Sequence, residues 1–84
     1  MTAADERRAR YAIMLFLEQV PNQAADELAV AAYISTRLRD IQTYPILRDL
    51  EAVGYVSTSA GLLWSLTQAG REALGLARAG GWTA

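Results

Sequence analysis

Cysteine and histidine are both absent from the 84 residues. The first absence removes a disulfide framework and any thiolate metal site. The second removes the usual general base and the commonest metal ligand. No phosphate-cradling glycine loop and no metal-ligand spacing replace them, and the carboxylates are scattered as a solvated surface scatters them. The chain therefore lacks the customary equipment of an enzyme, and no cofactor is implied. Long apolar runs are missing too. None is longer than Tyr11 to Leu17, which is far too short to span a bilayer. The N-terminus does not show a charged region, apolar run and cleavage site in secretory order. A soluble cytoplasmic protein is the expectation. Lysine is absent as well, so all eight positive charges are arginines, and the net charge is −1.

What is present suits one small globular domain covering residues 1–84, with 1–4 and 80–84 as tails. Apolar residues make up 52% of the chain and charged residues 20%, ordinary values for a packed core. Four helices and one hairpin are expected, a mainly α, α+β chain. The first helix runs from about Asp5 to Val20, stopped by Pro21-Asn22. Its core stripe is Ile13, Phe16, Leu17 and Val20, yet Tyr11, Met14 and Leu15 make its other side apolar too. A surface helix normally has a polar back. The second apolar face therefore wants a partner, either the C-terminal helix of the same chain or a second subunit.

A second helix is expected from about Ala24 to Ile34, capped by Asn22, with Leu28, Ala31, Ala32 and Tyr33 turned inward. A turn over 35–40 carries Arg37 and Arg39, which fit phosphate contacts or, equally, solvated loop charges or partners of Asp40. The third helix, about 41–53, is the best defined. Thr43, Ile46, Leu47, Leu50 and Val53 share one stripe at three- and four-residue spacing. Asp40 is its candidate cap, Pro45 is tolerable only in its first turn, and Gly54 is its stop. Gln42, Tyr44, Pro45, Arg48 and Ala52 face outward.

Tyr55–Ser59 and Leu62–Thr67 read as a hairpin around Ala60-Gly61. Its tip carries no cation, and Trp64 and Leu66 alternate onto its core face. Thr67 caps a last helix over Gln68–Ala79, with Gly70 in its first turn and Leu74 and Leu76 on different sides. Gly80-Gly81 ends it before Trp82.

Tyr44-Pro45-Ile46-Leu47-Arg48-Asp49-Leu50-Glu51-Ala52-Val53-Gly54-Tyr55-Val56 resembles the recognition helix of PadR-like winged-helix regulators. Trp64-Ser65-Leu66-Thr67-Gln68-Ala69-Gly70-Arg71-Glu72-Ala73-Leu74 resembles the segment after the wing in that family and in MarR-like relatives. Together these cover about the second half of the chain. The resemblance implies a winged helix-turn-helix that binds double-stranded DNA as a homodimer and regulates transcription, with the third helix in the major groove. Arg48 is the leading contact, to a phosphate or a guanine edge. Its alternative is an ion pair with Glu51 or packing on Tyr44. Gln42, Thr43 and Tyr44 are the expected readers, although Thr43 also suits burial, and Arg37 and Arg39 are the expected phosphate contacts. Tyr11, Met14, Leu15, Leu76 and Trp82 are the expected dimer surface. PadR-like proteins carry a longer C-terminal dimerisation region than this chain does, and no small-molecule effector is implied. The alternative reading is a winged-helix protein-interaction module with little or no DNA binding. Small winged-helix proteins of phage or mobile-element origin include both kinds.

Overall fold

The core forms around α1 (Ala3–Gln19), which packs against each of the later helices and one strand. A computed structural model describes residues 3–38, 41–60 and 62–81. Ile13 and Leu17 of α1 are fully buried, and so are Tyr11 and Met14 to within a few per cent. The second apolar face of α1 is covered by α4 (Gln68–Ala79) of the same chain.

After Pro21–Gln23, a single 3-10 turn, the backbone goes extended and forms β1 (Ala24–Ala25). This corrects the expectation that the second helix begins at Ala24. Two alanines carry good helix propensity, but pairing Ala24 with Ser65 and Ala25 with Trp64 satisfies their backbone groups in a sheet instead. The helix, α2 (Glu27–Ser35), starts after Asp26, whose Oδ1 accepts from Ala29 N at 2.8 Å. Asp26 is thus the cap expected of Asn22, whose side chain lies outside the described residues.

The shifted start also resets the inward face. Val30 and Ile34, four apart, are the buried residues of α2. Leu28, two positions from Val30 and so on nearly the opposite side, is 81% exposed, and Ala32 is exposed for the same reason.

The third helix, α3 (Thr43–Ala52), buries Thr43, Ile46, Leu47 and Leu50, the expected stripe. Val53 leaves it, 62% exposed, because the helix is already ending there. Gly54 takes φ +86°. Its N–H donates to Glu51 O at 3.0 Å, and Tyr55 N donates to Leu50 O at 2.9 Å, the paired bonds of a Schellman stop.

The chain then makes β2 (Val56–Ser59) and β3 (Leu63–Leu66), an antiparallel hairpin. With β1 on the other side of β3 the sheet has three strands, one more than the expected hairpin alone. Val56, Trp64 and Leu66 face the core, while Ser57, Ser59 and Leu63 face out. No described helix is long and apolar enough to cross a membrane.

Thr67 joins α3 to α4. Its hydroxyl accepts from Gly70 N at 3.0 Å as the cap of α4 and donates to Gly54 O, while its own N–H donates to Tyr55 O at 3.0 Å. The stop of one helix and the start of another are therefore one hydrogen-bonded unit.

Candidate nucleic-acid interface

The outward face of α3 follows from its inward one. With four stripe residues in the core, Tyr44, Pro45, Arg48, Asp49 and Ala52 are left exposed, and Gln42 stands exposed at the N-cap position. Gln42 makes no side-chain cap bond, so its amide is not spent on the helix end. Pro45 is the third helical residue, where its missing N–H costs no helical bond.

Tyr44 leans on the sheet. Its ring meets Trp64 edge-on, with centroids 6.4 Å apart. Arg48, one turn along, places its guanidinium carbon 6.0 Å from the centroid of the Tyr44 ring. Arg48 Nη1 also lies 2.8 Å from Glu51 Oε1. Both arrangements that the sequence offered as alternatives to a DNA contact are thus realised together.

Other candidates fare differently. Thr43, an expected reader, is 7% exposed and is part of the core stripe, so it is removed from the set. Arg37 follows α2 and stacks over Tyr33 at 4.5 Å, and Tyr33 in turn stacks on Phe16 with centroids 4.6 Å apart. Its charge stays exposed on a fixed platform. Arg39 and its suggested partner Asp40 lie outside the described residues, as does Trp82. Of the expected dimer surface, Tyr11 and Met14 are spent inside their own chain and Leu15 is half-buried, whereas Leu76 is 75% exposed. The reason is that α4 covers the second face of α1.

Arg10, one of the three arginines clustered near the start of the sequence, also enters the site. It reaches from α1 so that its Nη2 lies 3.8 Å from Asp49 Oδ2 on α3. Periodicity within α1 shows an exposed arginine there, but no local signal tells which helix will lie beside it. The hairpin following α3 carries Leu62 and Leu63 near its tip, 70% and 48% exposed.

Among the described residues no group of three or more metal-ligating side chains converges. No family model matches the chain, and no curated protein or solved structure matches it.

Proposed function

We propose that this chain is a winged helix-turn-helix regulator, related to the PadR-like and MarR-like proteins it resembles. It binds double-stranded DNA in the cytoplasm as a homodimer, with α3 as the recognition helix and the β2–β3 hairpin as the wing. The observation that carries this reading is the division of α3. Its large aliphatic residues Ile46, Leu47 and Leu50 are committed inward, and it offers Tyr44 and Arg48 outward, with Gln42 at the N-cap position, directly ahead of a hairpin. An α-helix with such a face fits the major groove, where its N-terminal residues meet base edges. Arg48 supplies the two-pronged donor for guanine, Gln42 and Tyr44 read neighbouring positions, and Arg37 with Arg39 contacts phosphate.

The test is retention of genomic DNA fragments by purified protein at two salt concentrations, beside Arg48→Ala. Selective retention that falls steeply with salt and is lost in the variant supports a sequence-specific regulator. Retention of nothing at low salt by either protein rejects it. That outcome favours the second reading, a protein-interaction module, for which the exposed Leu62 and Leu63 at a cation-free hairpin tip are the specific support.

A further inference from the structure

The two arginines that flank the outer face of α3 are each matched by a carboxylate of α3 itself. Arg48 meets Glu51 at 2.8 Å and Arg10 meets Asp49 at 3.8 Å. The contacts are not equivalent. Glu51 is the shorter bond and the more sheltered acid, its side chain 31% exposed against 62% for Asp49. With Tyr44 beneath it, Arg48 is held from two directions.

Sequence-independent DNA affinity comes from neutralising phosphates and releasing their counterions. An arginine already compensated by a neighbouring carboxylate adds little to that term unless the carboxylate is displaced. A guanine edge, like a phosphate, takes two parallel donors from one guanidinium, but it is present only at particular base pairs. Displacement of Glu51 by a base edge is therefore repaid only at the matching sequence.

We propose that Glu51 is a specificity-determining residue that withholds Arg48 from phosphate, so that duplex DNA of arbitrary sequence binds weakly and a correct base edge engages Arg48 by displacing Glu51. This rests on the DNA-binding reading above. It accounts for two carboxylates on a face meant for DNA: they lower the background rather than the selectivity.

The experiment compares full-length parent, Glu51→Gln, Arg48→Ala and the double variant on a random-sequence duplex of fixed length. Fluorescence anisotropy is read from about 50 to 200 mM salt, with circular-dichroism melts to verify folding. Glu51→Gln is expected to bind more tightly and to steepen the salt dependence by about 0.9 in log–log slope, one added phosphate contact. Its advantage over the parent then shrinks roughly 3.5-fold across that salt range. The double variant is expected to match Arg48→Ala. Equal affinity and slope for Glu51→Gln and parent would overturn the proposal. So would a gain that persists without Arg48, since that effect belongs to net charge alone. Absence of binding by all four proteins at the lowest salt rejects the DNA reading itself, and the proposal with it.

Discussion

Gly70 shows how much one residue can settle. A Cβ built there would lie 2.2 Å from Tyr55 O and 2.7 Å from Leu66 Cδ1. The carbonyl belongs to backbone that already accepts from Thr67 N, so it cannot easily withdraw. Gly75, on the same helix, has nothing within 4 Å of such a carbon. The pair makes an internal control. Gly70→Ala is expected to cost about 1–3 kcal/mol through overpacking. Gly75→Ala is expected to gain about 0.5–1 kcal/mol by removing backbone entropy from an exposed helical site. Urea melts of both variants read the difference, and equal midpoints would disprove the close-approach account. The Leu-Thr-x-x-Gly-x-x-x-Leu pattern made a cap, a first turn and a core leucine legible. It did not show why the glycine is required, because the clashing carbonyl sits fifteen positions earlier in the chain.

Among the elements, α3 was the most readable and α2 the least. The stripe, the tolerated Pro45 and the Gly54 stop are all local signals, and the helix they define departs from expectation only at its ends. For α2 the local signals misled, since alanines favour helix wherever no strand competes for them. Thr67 belongs to this scale because it couples two elements. Thr67→Val keeps the shape but loses the cap of α4 and the bond to Gly54 O. A loss of about 1–2 kcal/mol is expected, which for a domain of this size lowers Tm by roughly 4–8 °C per kcal/mol. A variant melting with the parent would show that neither bond contributes.

At the scale of the whole molecule, the placement of α4 across α1 has the widest consequence. Arg78 of α4 pairs with Glu18 of α1, Nη2 to Oε1 at 2.5 Å, and this hydrogen bond raises the Arg78 pKa above its ordinary value. Both groups are partly exposed, so the pair adds little stability. The contact between the two helices rests instead on buried apolar surface, Leu74 of α4 among it. This packing withdraws Tyr11 and Met14 from any interface and leaves Leu76 as the exposed leucine of α4. If the homodimer forms through that face, Leu76→Glu is expected to convert it to monomer in sedimentation equilibrium while leaving the melting temperature of dilute protein nearly unchanged. A parent already monomeric at high concentration would remove the dimer from the proposed mechanism.

Local chemistry was enough to establish that four helices and a hairpin form, the Gly54 stop, the Thr67 cap, and the outward set Gln42, Tyr44 and Arg48. Each depends on residues within a turn or two of one another, where propensity, spacing and capping act. Packing alone determined that Ala24-Ala25 is a strand, that α4 supplies the second partner of α1, and that Asp49 meets Arg10. These depend on groups far apart in the chain, whose meeting is set by burial of shared apolar surface and by backbone pairing, and no short window of sequence contains both partners.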